Sequence, residues 1–164
     1  MAKLITYNII GGINENIVSD TMNFIFRQPV DSDIVLNIGS TGGSVLSAVS
    51  LYQFLKQAPH RIVTRNISEV SSAAVLVYLA GARRQCVDIG KFMIHPIMYN
   101  YNGDLAYSKL EEMINGLEKD ITQYATILTN ESKLSNYEDV LEILKYKSLT
   151  FGKTEAIKYG IVNN

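Results

Sequence analysis

Two rhythms alternate through the first two thirds of the chain. Short apolar or β-rich runs are followed by stretches in which apolar residues recur every three or four positions, as strands and amphipathic helices require. Leu4 to Ile10 is β-rich and stops at Gly11-Gly12. The spacing then predicts a helix over about 14–26, with Ile17, Thr21, Phe24 and Ile25 on one face. Ile34 to Ile38 is nearly continuous in apolar residues, the pattern of a strand covered on both sides. It runs into Gly39-Ser40-Thr41-Gly42-Gly43, and a second helix starts near Ser44, with Val45, Ala48, Val49, Tyr52 and Leu55 at helical spacing.

Pro59 ends that helix, and Ile62 to Ile67 reads as the next strand. Ser71 to Ala80 follows as a short apolar helix closed by Gly81. Cys86 to Ile89 and Phe92 to Ile94 read as short strands. An apolar stripe from Leu110 to Leu128 marks a long helix over about 104–129, and shorter helices over about 136–146 and 153–159 complete the chain. Strands alternating with helices predict an α/β fold with a mainly parallel sheet, in a single domain over 1–164. The stripe on the long helix needs a cover, which is either its own sheet or another subunit.

With 164 residues, 47% hydrophobic and 19% charged, the chain has the composition of a globular protein, and no disordered or low-complexity tract is expected. Net charge is −1 and the Lys and Arg residues are scattered, which argues against nucleic acid as the main partner. Cys86 is the only cysteine, so no internal disulfide forms and an intracellular, cytoplasmic location is expected. The longest apolar run, Ala73 to Ala82, has 10 residues and is too short to cross a bilayer. One cysteine and two histidines give no zinc spacing, and neither a metal nor a cofactor is expected.

Three places carry candidate chemistry. His95 directly follows the apolar strand Phe92-Met93-Ile94, at a strand end where side chains enter a cleft; a structural histidine is the plain alternative. His60, between a helix and a strand, reads as a solvated loop residue. Ser71-Ser72 opens an apolar helix straight after a strand: a serine there either caps the helix or is a nucleophile beside free amides. Two adjacent serines permit both, one capping and one reacting. Gly42-Gly43 is either a tight turn or a site where bare amides bind an anion.

Together these places match one pattern. The segment Asn37 to Val45 resembles the Ser-Pro-Gly-Gly loop of the Clp protease proteolytic subunit, with Thr41 where proline is usual. Ser72-Ala73-Ala74 resembles its nucleophile turn, Met93-Ile94-His95-Pro96 its Met-Ile-His segment, and Glu155 to Val162 its closing Glu-Ala…Tyr-Gly segment. All four occur in order. The Ser-Ala-Ala turn and the Gly-Asp-Leu-Ala stretch after the histidine resemble phage- and prophage-encoded relatives more than the housekeeping enzyme.

The resemblance implies a superhelical arrangement of β-β-α units, shared with crotonases, from which the long helix protrudes. It implies a serine endopeptidase with Ser72 as nucleophile, His95 as base, and the amides of Gly43 and Ala73 as the oxyanion hole. An extended polypeptide substrate would lie against Gly42, Ser44, Val45, Pro96 and Ile97. Recognition through the backbone implies broad specificity. It further implies a homo-oligomeric ring, stacked on another through the long helix, with cleavage inside the chamber.

The sequence departs from the family at three places. Ser148 stands where the family has its third catalytic residue, an aspartate, and the nearest acidic residues upstream are Asp139 and Glu142. The segment ahead of Leu4 is short, which puts docking of a Clp-type ATPase in doubt. Ser68 and Tyr99-Asn100 stand where glycines are usual and make the cleft bulkier. The missing aspartate sets up the alternative of a ring or scaffold subunit with impaired catalysis. A crotonase-type acyl-CoA enzyme would share the sheet but would not need the Ser72 and His95 pair.

Overall fold

The computed structural model describes residues 4–163. Six strands form one sheet in the order β1-β2-β3-β5-β6, with β4 also pairing β3. These are β1 (Leu4–Ile10), β2 (Asp33–Ser40), β3 (Arg61–Ser71), β4 (Arg83–Cys86), β5 (Lys91–Ile94) and β6 (Leu149–Gly152). All neighbours run parallel except β5 and β6, which are antiparallel. The α/β expectation with a mainly parallel sheet therefore holds.

The helices are α1 (Glu15–Phe26), α2 (Val45–Gln57), α3 (Ala74–Leu79), α4 (Tyr107–Glu131), α5 (Tyr137–Tyr146) and α6 (Lys153–Lys158). Asn14, Ser44 and Asn136 cap α1, α2 and α5, each side chain accepting a bond from an amide of the first turn. Every residue of α3 is buried, and it is the apolar centre around which α2, β3 and the second half of α4 pack.

The edges of several elements differ from the sequence reading. Strand β3 continues four residues past Ile67, so α3 begins at Ala74 rather than Ser71. The first half of β3 pairs β4 and its last three residues pair β5, which gives the extra length a partner. Strand β4 lies at 83–86 rather than 86–89, and Ile89 is exposed in the following turn. Strand β6 is not among the elements that the sequence pattern predicts. Its four residues are held by antiparallel pairing with β5 and by Phe151, which stacks on Phe92 with ring centroids 5.5 Å apart.

His60 is buried, not solvated: its Nε2 lies 3.3 Å from the carbonyl oxygen of Gln28. Helix α4 divides in two. From Tyr107 to Ile114 its large apolar residues are largely exposed, whereas Ile121, Tyr124, Ala125, Ile127 and Leu128 are buried. Its apolar stripe is thus covered by the chain's own core only in the second half. Among the described residues, no helix is long and apolar enough to cross a membrane.

Candidate active site

Strands β3 and β5 are parallel neighbours, and the sequence places Ser72 and His95 just past their ends. The register pairs Ser71 with Met93, and the Ser72 amide donates to the Met93 carbonyl over 2.8 Å. That bond pins the turn after β3 to the strand that delivers His95.

Ser72 has φ 53°, and among the described residues no other non-glycine has a positive φ. A left-handed L-residue costs roughly 1–2 kcal/mol, so the surroundings must impose it. They do so from two sides. The Ser72 amide is held by Met93, and its carbonyl accepts a bond from the Tyr124 hydroxyl over 2.8 Å. The serine does not cap α3: Ala73 occupies the cap position, and no side chain bonds there. Ser71 does not cap it either. Its hydroxyl donates to Glu69 Oε1 over 2.6 Å, and Glu69 pairs with Lys91 on the neighbouring strand. With neither serine used as a cap, the side chain of Ser72 is left at the surface of a cleft.

The glycine loop closes the other wall. Gly42 and Gly43 have φ of 102° and 149°, and both stand where a side chain has no room. A Cβ on Gly42 would lie 2.5 Å from Ser72 Cβ, and one on Gly43 would lie 2.3 Å from the Ile13 carbonyl oxygen. The loop is anchored to the segment after β1, with the Ile13 amide donating to Gly42 and the Ser44 amide to Ile13. The amides of Gly43 and Ala73 have no acceptor among the described residues.

These walls enclose a cleft of about 620 Å³. It brings together Gly43, Ser44, Val45, Ser72, His95 and Ile97, while Gly42 and Ala73 are buried beneath it. The imidazole Nδ1 of His95 lies 2.8 Å from the Pro96 carbonyl oxygen. Because a carbonyl only accepts, Nδ1 carries the proton and Nε2 of the neutral ring carries the lone pair. No hydrogen bond joins Ser72 Oγ to the ring among the described residues.

A family model described as Clp protease matches residues 4–164. The chain belongs to the Clp protease family. Its fold is similar to that of a ClpP1 point mutant from Listeria monocytogenes, with a TM-score of 0.83 at 21% identity, over 96% of this chain and 88% of that one. That is a Clp-type α/β fold with a mostly parallel sheet and a long helix. The family is one of serine peptidases, whose members typically form oligomeric rings.

The acidic residues weighed from sequence as partners for His95 are engaged elsewhere. Glu142 pairs with Lys147 over 2.6 Å, and Asp139 accepts bonds from Ser135 and Asn136 at the start of α5. Ser148 is exposed, immediately before β6. Among the described residues no group of three or more His, Cys, Asp or Glu is placed to hold a metal ion.

Sequence reasoning missed two residues of this region. Tyr124 falls among many positions on the apolar stripe of α4, and nothing in that pattern marks its hydroxyl as a partner of Ser72. Asp120, one turn earlier, lines the cleft and accepts a bond from the Tyr99 hydroxyl over 2.7 Å. Desolvation, that bond and the Asp120 charge push the Tyr99 phenol up to about 12.

Proposed function

We propose that the chain is a serine endopeptidase subunit that cleaves extended polypeptides within a homo-oligomeric ring. The observation that carries this reading is Ser72. It is held in a left-handed turn between a strand and a helix, uncommitted to any cap, in one cleft with a histidine whose Nδ1 is already occupied.

In this reading Ser72 Oγ attacks the scissile carbonyl while His95 Nε2 takes its proton. The tetrahedral oxyanion is met by the free amides of Gly43 and Ala73, each donor contributing about 3 kcal/mol to transition-state stabilisation. His95 then returns the proton to the leaving amine, and water repeats the sequence on the acyl-enzyme. The Pro96 carbonyl takes the orienting role that a carboxylate has in a triad, fixing the tautomer that leaves Nε2 basic. It offers the imidazolium a dipole rather than a full charge, so turnover is slower than with a carboxylate. Replacing a triad aspartate by an amide costs about 10⁴-fold, largely through the wrong tautomer; here the tautomer is right and the deficit is smaller.

The exposed first half of α4 supports assembly, since its apolar residues lack a cover within the chain. A second reading is a ring subunit of the same fold without useful turnover. It is favoured by the engagement of Asp139 and Glu142 away from His95.

The two readings separate on reaction with a fluorescent fluorophosphonate at neutral pH. The peptidase reading expects labelling of the wild type that is lost in both Ser72→Ala and His95→Ala. A folded, oligomeric wild type that does not label would establish the scaffold.

A further inference from the structure

Asp120 stands in the cleft as a carboxylate with no cation beside it. It takes part in none of the ion pairs among the described residues, and it is the one carboxylate among the residues lining the cleft. Its position follows from the helix. Residues four apart lie on one face of a helix, and Tyr124, four residues on, donates its hydroxyl to the Ser72 carbonyl. The carboxylate therefore sits one turn away from the contact that holds the nucleophile.

The carboxylate is also aimed. The Tyr99 hydroxyl donates to Oδ2 over 2.7 Å, which leaves Oδ1 open. Room for that phenol over α4 comes from Gly116, where a Cβ would approach the Tyr99 hydroxyl to 3.3 Å. Around this fixed charge the cleft is lined by Ile97, Met98 and Met113. Thioether and aliphatic side chains suit the alkyl stem of a long side chain, and a half-buried carboxylate suits a cation at its tip.

We propose that Asp120, positioned by Tyr99, forms a subsite for a lysine or arginine side chain of the polypeptide, close to the bond presented to Ser72. This deepens the peptidase reading and rests on it for the nature of the ligand. Backbone pairing along the cleft reads extended shape, and the subsite adds a preference for basic residues at one position.

The test is binding, not turnover, in the full-length Ser72→Ala protein. Fluorescence anisotropy compares a labelled pentapeptide of four alanines and one arginine with its citrulline counterpart, which keeps the shape and loses the charge. The arginine peptide is expected to bind about two- to fivefold more tightly, the upper part of the range for a solvent-accessible ion pair, with the ratio shrinking as salt is raised. In Asp120→Asn the ratio falls to about one, and in Tyr99→Phe it falls part of the way. Equal binding of the two peptides, or a preference that persists in Asp120→Asn, overturns the subsite. Fluorophosphonate labelling of Ser72 in the wild-type chain is scored separately. Labelling without discrimination removes the subsite alone, and discrimination without labelling removes the peptidase reading alone.

Discussion

Tyr124, buried in the second half of α4, donates its hydroxyl to the carbonyl oxygen of Ser72 across 2.8 Å. The long helix thereby carries one of three hydrogen bonds that hold the left-handed turn; the Ser72 amide donates to Met93, and the Ser72 carbonyl also accepts from the Val75 amide over 3.0 Å. Replacing Tyr124 by phenylalanine keeps the packing and leaves the carbonyl with the Val75 amide, 3.0 Å away, as its one donor. Loss of one hydrogen bond costs about 0.5–1.5 kcal/mol, and in a chain of this size each kcal/mol lowers Tm by about 2–4 °C. Tyr124→Phe is expected to melt lower and to label more slowly with fluorophosphonate, because the turn is freer to leave its reactive shape. Scanning calorimetry and the labelling rate check the two effects. An unchanged labelling rate despite a lowered Tm would mean that the bonds to Met93 and Val75 keep Ser72 in place without Tyr124.

Gly42 stands directly against Ser72, and this makes it a sharper test. A methyl group there would lie 2.5 Å from Ser72 Cβ and 2.8 Å from the Ser71 carbonyl oxygen, on a backbone with φ 102°. Neither neighbour is a flexible side-chain tip, so either the loop or the turn must move. Gly42→Ala is expected to lower labelling more than about a hundredfold, since a displacement of about 1 Å can cost that much. Gly12→Ala is the control: its Cβ would meet only the Gly42 carbonyl oxygen, at 3.7 Å, and labelling is expected to stay at the wild-type rate. Circular dichroism of both variants separates loss of chemistry from loss of fold.

The sheet and the helices were legible because each rests on a local pattern, whereas the grouping of Ser72, His95 and Gly43 was expected only from the family resemblance. Ile34 to Ile38 has the pattern of a covered strand, and the helical spacing after Asn14, Ser44 and Asn136 marks the starts of α1, α2 and α5. What escaped depends on partners distant in sequence. Strand β6 is four residues long and owes its conformation to β5 and to the stack of Phe151 on Phe92. The end of β3 was placed too early because Ser68, Glu69 and Ser71 look like loop residues. Pairing with β5 and the bond between Ser71 and Glu69 make them strand. His60 looked solvated from its place between a helix and a strand, yet the Gln28 carbonyl and the end of α1 enclose it. The bonds of Tyr124 and Tyr99 likewise link positions that no short motif connects.

At the far end of α4, Glu131 accepts from the Tyr52 hydroxyl over 2.6 Å and pairs with Lys56 at 2.7 Å and Arg84 at 3.5 Å. Burial pushes its carboxyl up, but bonds from Lys56 and Tyr52 and the charges of Lys56 and Arg84 outweigh this, so the group sits below the usual glutamate range. A carboxyl lowered in the folded state stabilises the fold above its unfolded value of about 4.3, and that contribution is lost as pH falls through the lower folded value. Glu131→Gln leaves the buried Arg84 without its counter-charge and is expected to cost about 2 kcal/mol at neutral pH, discounted for partial exposure. Urea midpoints at a series of pH values are expected to show wild type and variant converging below about pH 4. A gap independent of pH would mean that the loss comes from packing and not from the carboxylate.

Ser148 stands where the family has an aspartate. Strands β5 and β6 pair antiparallel, with Lys91 opposite Gly152 and Ile94 opposite Leu149. One further step in this register sets Ser148 opposite His95. A carboxylate introduced there would lie beside the imidazole and could replace the Pro96 carbonyl as the partner of Nδ1, adding a full charge to stabilise the imidazolium. Ser148→Asp is therefore expected to raise the fluorophosphonate labelling rate by about tenfold or more, within the roughly 10⁴-fold that a triad aspartate contributes. Asp139→Asn and Glu142→Gln are expected to label at the wild-type rate, because their carboxylates are bound to Ser135, Asn136 and Lys147. Labelling rates of the three variants at one neutral pH decide the matter. A slower Glu142→Gln would place that carboxylate within reach of His95 in solution. An unchanged Ser148→Asp would show that the Pro96 carbonyl already holds the histidine as well as a carboxylate can, and that the serine at 148 costs this chain nothing in reactivity.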